Sequence, residues 1–156
     1  MEVDLSSLFT PGTIGNLEIP NRIIRSATAE RMAADLDGRI TERLIKMWVD
    51  LARGGTGLII TGHMYVHPSG KCHPEMTGIY NDELIPGLSR AVKAVHDTGG
   101  LIAVQINHGG MKCSLDTVLG TMAPSAIDAE FLEQPAREIR NPEIEIIIDS
   151  YAQAAR

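Results

Sequence analysis

LIAVQINHGG, residues 101–110, starts as a buried strand and finishes in two amides, an imidazole and paired glycines. Gln105, Asn107 and His108 are costly to bury without partners, so the apolar part belongs in a core and the polar end belongs where such groups are used. A nearly continuous apolar strand with functional groups at its C-terminal end is the pattern of a parallel sheet covered on both faces.

The same pattern recurs upstream. TGLIITGHMYV, residues 56–66, reads as a second strand, with Thr61 and His63 near its end. Between the two lies NDELIPGLSRAVKAVHDTGG, residues 81–100, which reads as a helix. Asn81 is its cap, Leu84, Leu88, Val92 and Val95 share one face, and Gly99-Gly100 closes it. TERLIKMWVDLARGG, residues 41–55, reads as another helix, opened by Thr41 and stopped by Gly54-Gly55. Its stripe is Leu44, Met47, Trp48, Leu51 and Ala52, at three- and four-residue spacing, which is core rather than a cofactor box.

NRIIRSA, residues 21–27, is the first strand of the series, followed by a polar loop through Asp35, Asp37 and Gly38. Before it, PGTIGNLEIPN, residues 11–21, places Gly15-Asn16 between two β-favouring pieces and predicts a tight hairpin that plugs or caps the structure. Residues 109–140 contain Pro124 and Pro135 without periodicity and read as irregular. NPEIEIIIDSYAQAAR, residues 141–156, reads as a third helix capped by Asn141, with Pro142 in its first turn.

Repeated strand-helix units specify an α/β fold. A doubly wound dinucleotide fold would carry G-x-G-x-x-G in its first strand-to-helix turn, but that turn here is SATAERMAADLDG, residues 26–38. Polar residues instead collect at strand ends: Ser26 and Thr28, Thr61 and His63, Gln105 and Asn107. That is the arrangement of a (β/α)8 TIM barrel, which needs ~250 residues. The 156-residue chain is therefore expected to form a partial barrel, an N-terminal hairpin plus about three βα units. Open sheet edges and helix faces meant for neighbours would favour association with itself or with the missing C-terminal half of the barrel.

With 44% apolar and 22% charged residues, the chain is an ordinary globular domain rather than a disordered one. A net charge of −6 gives no positive field for nucleic acid or an anionic membrane. Its apolar runs are shorter than the ~20 residues of a membrane span, and MEVDLSSLF lacks the basic start of a signal peptide, so a cytoplasmic location is expected. Cys72 and Cys113 could form at most one bridge and are read as free thiols.

On these segments the chain resembles the N-terminal part of the old yellow enzyme family of flavin-dependent ene-reductases. LFTPGTIGNLEIPNRIIRSAT (8–28), GLIITGHMYVHPSG (57–70), IYNDELIPGLSRAVKAVHDTGG (79–100), LIAVQINHGG (101–110) and MAPSAI (122–127) follow that family's order and spacing. The resemblance implies that residues 1–156 are the N-terminal portion of a single FMN-binding TIM-barrel domain. It implies FMN across the C-terminal mouth, contacted by Ser26, Ala27, Thr28 and Ala29, by Gly62 and by Gln105. A glutamine carboxamide both donates and accepts, as the edge of the flavin pyrimidine ring requires, and a glycine lets a flat ring approach closely. Where many relatives carry a Thr, Cys or His near flavin O4, this chain has Ala29, so Thr28 or a main-chain N–H is the expected substitute. Arg31 falls near the substrate-facing loop and is read either as a substrate contact or as a solvated cation.

The family reaction passes hydride from NAD(P)H through FMN to an α,β-unsaturated carbonyl. The carbonyl-polarising pair, the proton-donating tyrosine and the phosphate cradle lie later in such barrels, so the chain alone is expected to be inactive. The rival reading is a non-catalytic half-barrel that self-associates or pairs with another segment. A metal site built from His63, His67, Cys72, His73, His108 and Cys113 is disfavoured, since a strand does not put His63 and His67 on one face. His108 is expected to support the site or satisfy a local backbone group, and His96 to be solvated or half-buried. Thr61 is left open between a ligand contact and a neighbour's hydrogen bond.

Overall fold

The computed structural model describes residues 5–33 and 37–156, so Asp35 of the polar loop lies outside the described residues. Strands β1 (Gly12–Ile14) and β2 (Leu17–Ile19) form the expected antiparallel hairpin, with Ile14 paired to Leu17. Gly15 takes a positive φ of 57° at the first turn position, which glycine adopts without a Cβ clash.

The three strands that follow, β3 (Ile24–Arg25), β4 (Leu58–Tyr65) and β5 (Ile102–Asn107), pair in parallel in chain order. Helix α1 (Glu42–Arg53) connects β3 to β4, and α2 (Ile85–His96) connects β4 to β5. Ile59 and Met64 of β4 join Leu44, Ile45, Trp48 and Ala52 of α1 and Ala91 and Val95 of α2 in one core. Sequential order with both helices on the same face is the winding of a (β/α)8 barrel, here a three-strand arc without closure.

Strand β3 is shorter than NRIIRSA suggests. The Arg25 guanidinium donates to Ile60 O at 2.8 Å and to Thr28 O at 3.2 Å, taking a carbonyl that a longer β3 would have used. Helix α1 starts as expected, Thr41 Oγ1 accepting from Leu44 N at 3.3 Å. Its buried stripe is Leu44, Ile45, Trp48 and Ala52, while Met47 and Leu51 are only partly covered. The helix is rolled so that Ile45 enters the core and Met47 sits at its margin.

Asn81 caps a single 3-10 turn, Asp82–Leu84, which leads into α2. Residues 109–140 are not wholly irregular: β6 (Met122–Ala123) and β7 (Arg137–Glu138) pair in parallel, in pieces too short to show periodicity. Helix α3 (Asn141–Ala154) has Arg140, not Asn141, as its N-cap. The Glu143 carboxylate accepts from Arg140 N at 2.9 Å and pairs with the Arg137 and Arg140 guanidinium groups, whose hydrogen bonds hold its pKa well below the ordinary carboxylate value. Among the described residues, no helix is long and apolar enough to cross a membrane.

Candidate functional site at the strand ends

The chain leaving β3 forms an open loop. Ser26, Thr28, Ala29 and Arg31 are exposed and Ala27 is partly covered. The Thr28 hydroxyl donates to Ser26 O at 3.2 Å. The main-chain N–H groups of Ala27, Thr28 and Ala29 bond to no described residue. Of the substitutes expected for a side-chain donor at Ala29, the main chain is therefore the one left free.

Glu30 ties this loop to the sheet. Its Oε1 accepts from Gly62 N at 2.8 Å and Trp48 Nε1 at 3.2 Å, and it lies 3.2 Å from Arg25 NH2. A Cβ on Gly62 would stand 2.0 Å from Glu30 Oε2 and 2.6 Å from Thr28 O. The close approach that glycine permits at residue 62 is thus made by the chain's own loop. Sequence reading passed over Glu30; the available clue was Trp48 on a buried stripe, whose indole N–H needs an acceptor.

Register carries β4 into β5 with one extra residue: Ile60 faces Ala103, but His63 faces Gln105. This bulge redirects the polar end of the strand. Thr61 is fully buried and accepts from Gln105 N at 3.2 Å, which settles it as a neighbour's partner. Ile102 and Val104 lie toward α2, so strand alternation turns Ala103, Gln105 and Asn107 to the opposite, inner face. The Gln105 side chain is exposed there and has no partner among the described residues. Loop 26–30, Gly62 and Gln105 therefore converge at the strand ends.

Beside Gln105, Asn107 Nδ2 donates to His63 Nδ1 at 3.0 Å, which leaves the ring proton on a buried, unpartnered Nε2. His63 lies tilted against His73, ring centroids 5.7 Å apart; neither ring nitrogen of His73 is hydrogen-bonded, though the Glu75 carboxylate stands 3.5 Å from Nδ1. Burial holds both imidazoles below their ordinary pKa of 6.5; the Glu30 charge opposes this at His63, and Arg31 reinforces it at His73. Both are neutral at pH 7. A cavity of about 480 Å³ opens here, bordered by Arg31, His63, Cys72, His73, Lys112 and Asp116. Arg31 is thus at the cavity, and it is the sole non-glycine with positive φ among the described residues, at 50°.

His108 accepts from Gly110 N at 3.1 Å through Nδ1, so its Nε2 proton faces Ser69 Oγ at 3.0 Å. Ser69 in turn meets His67 Nδ1 at 2.8 Å. His108 is accordingly a local structural support, and His96 is exposed on α2. No group of three or more His, Cys, Asp or Glu among the described residues is placed to hold a metal ion. A larger space of about 590 Å³ lies against α2 and the end of α3. Lined by Ile85, Leu88, Val92, Ile102 and Val104, it is on the helical face of the sheet.

Comparison with known proteins matches residues 7–156 to the family described as NADH:flavin oxidoreductase / NADH oxidase. The NADH oxidase of Thermoanaerobacter brockii is 38% identical over 152 residues, covering 96% of this chain and 23% of that protein. The old yellow enzyme homologue from Zymomonas mobilis superposes with a TM-score of 0.83 at 30% identity, over 96% of this chain and 44% of that one. 2-Naphthoyl-CoA reductase, in complex with 2-naphthoyl-CoA, gives a TM-score of 0.91 at 25% identity, over 96% and 25% of the respective chains. The chain spans about a quarter of the length of the curated relatives it matches.

Proposed function

Because the chain belongs to the NADH:flavin oxidoreductase / NADH oxidase family, we propose that residues 1–156 form the N-terminal portion of a single FMN-binding barrel domain and hold the pyrimidine side of the flavin. Gln105 carries this reading: an unpartnered carboxamide on the inner face of β5, level with an open loop of free N–H groups. A group with alternating donors and acceptors fits both.

In this assignment Gln105 pairs in both directions with the ring edge, and main-chain N–H groups from Ser26, Ala27, Thr28 and Ala29 donate to it. Gly62 shapes the floor by admitting the Glu30 carboxylate, and Arg31 borders the substrate side. FMN, when bound, supplies hydride transfer between NAD(P)H and an α,β-unsaturated carbonyl. The neutral His63–Asn107 pair keeps net charge away from the inner face beside Gln105. The carbonyl-polarising and proton-donating groups belong to later parts of the barrel, so this chain alone does not turn over. We place the protein in the cytoplasm.

Titration of FMN into the chain, followed by its visible absorption, tests the reading. A spectral shift that Gln105→Leu weakens by about tenfold or more is expected for the loss of two hydrogen bonds. Equal binding by the two proteins would overturn it. The exposed Val104, Ile146 and Ile148 favour a second reading, a non-catalytic half-barrel that self-associates. A colourless oligomer in sedimentation would support that alternative.

A further inference from the structure

We propose that Cys72 and Cys113 are a redox-active pair that closes into a reversible intramolecular disulfide, stapling the loop after β4 to the loop after β5. The two thiols are reduced, Cys113 buried and Cys72 half-buried. Both converge on one point. A Cβ built on Gly109 would lie 2.4 Å from Cys72 Sγ and 2.7 Å from Cys113 Sγ, so the sulfurs stand no farther apart than those two distances together. A side chain at Gly109 would enter the space the pair shares.

The backbones are also tied beside the pair. Ser114 N, next in the chain to Cys113, donates to Cys72 O at 3.0 Å, so the main chains flanking the two sulfurs are held together. The thiols are also oriented: Cys113 Sγ points to Ser69 O at 3.6 Å, and Asn107 Nδ2 approaches Cys72 Sγ at 3.8 Å. Hydrogen bonding with Cys113 lowers the Cys72 pKa, while the same contact, with burial, raises that of Cys113. Cys72 also lines the cavity bordered by Arg31 and Lys112, so it is the sulfur an oxidant reaches.

A peroxide is a sufficient oxidant. The Cys72 thiolate attacks hydrogen peroxide, the O–O bond breaks, and Cys72 becomes a sulfenic acid as hydroxide leaves. Cys113 sulfur then attacks Cys72 sulfur, the S–O bond breaks, and the hydroxyl departs as water with the Cys113 proton. Two thiols and one peroxide give one disulfide and two waters. A dithiol reductant reverses the change by thiol–disulfide exchange. None of this depends on flavin binding.

The test is mass spectrometry of the chain after treatment with hydrogen peroxide, quenching, and alkylation under denaturing conditions. The expected product is lighter than the reduced chain by two hydrogens, takes up no alkyl group, and yields one linked peptide containing Cys72 and Cys113. Dithiothreitol should restore two alkylation sites. In Cys113→Ser, Cys72 should instead be trapped as a sulfenic acid by dimedone, and in Cys72→Ser the buried Cys113 should stay reduced. Two alkyl groups after peroxide, an oxygenated thiol without the linked peptide, or a purely intermolecular bridge in the wild-type chain would each overturn the proposal. The wild-type result decides the matter even where a serine variant fails to fold.

Discussion

Glu30 collects donors from three separate segments, the Arg25 guanidinium, the Gly62 amide and the Trp48 indole, on a side chain only 7% exposed. Its removal leaves two buried N–H groups without an acceptor and takes the carboxylate away from a largely buried guanidinium that keeps only its carbonyl partners, Ile60 O and Thr28 O, a larger loss than the hydrogen bonds alone. Glu30→Ala should lower the unfolding free energy by about 3 kcal/mol, read as a lower urea midpoint at constant m. Glu30→Gln keeps an acceptor oxygen and should cost clearly less. The imidazoles of His63, His73 and His108, the second buried and the others half-buried, all with folded pKa values lowered by desolvation, make a separate prediction. Because the unfolded chain binds more protons, their unfavourable contribution grows as pH falls below the unfolded value near 6.5 and levels off beneath the folded values. Denaturation between pH 7.5 and 5.5 should show stability falling with acidity, with a shallower fall in His73→Leu. A flat profile would contradict the burial of these rings.

At the scale of elements, α1 holds both the core and the site. Thr41 caps it through Leu44 N and also donates to Met32 O, so the helix start anchors the end of the site loop. Thr41→Ala should therefore cost at least the ~1 kcal/mol of an ordinary cap, and hydrogen exchange should show loosening of residues 26–33 together with the first turn of α1. Loosening confined to the helix would separate the two. The cap and the glycine stop of α1 are local patterns and were legible in the sequence, whereas the roll that buries Ile45 in place of Met47 and Leu51 was set by packing. The bulge in β4 was not legible either, since it exists only as a mismatch of count between two paired strands.

For the molecule as a whole, the three-strand arc leaves apolar surface on several faces. Phe9, Ile24, Val104, Ile146 and Ile148 are each about 40–70% exposed, more than an isolated domain normally tolerates. Sedimentation should show association that increases with chain concentration, and Ile146→Lys with Ile148→Lys should reduce it. An unchanged monomer across that range would mean these faces do not drive assembly.

Periodicity, caps and turn glycines act over a few residues, so the sequence by itself determined the hairpin, the alternation of strands with helices and the exclusion of a dinucleotide turn. Contacts between distant segments have no such local signature. Only the tertiary structure decided that Glu30 fills the space before Gly62, that Thr61 serves Gln105, and that Cys72 and Cys113 meet over Gly109. Each depends on where the parallel arc brings separate strand ends together, a distance in space that no spacing along the chain encodes.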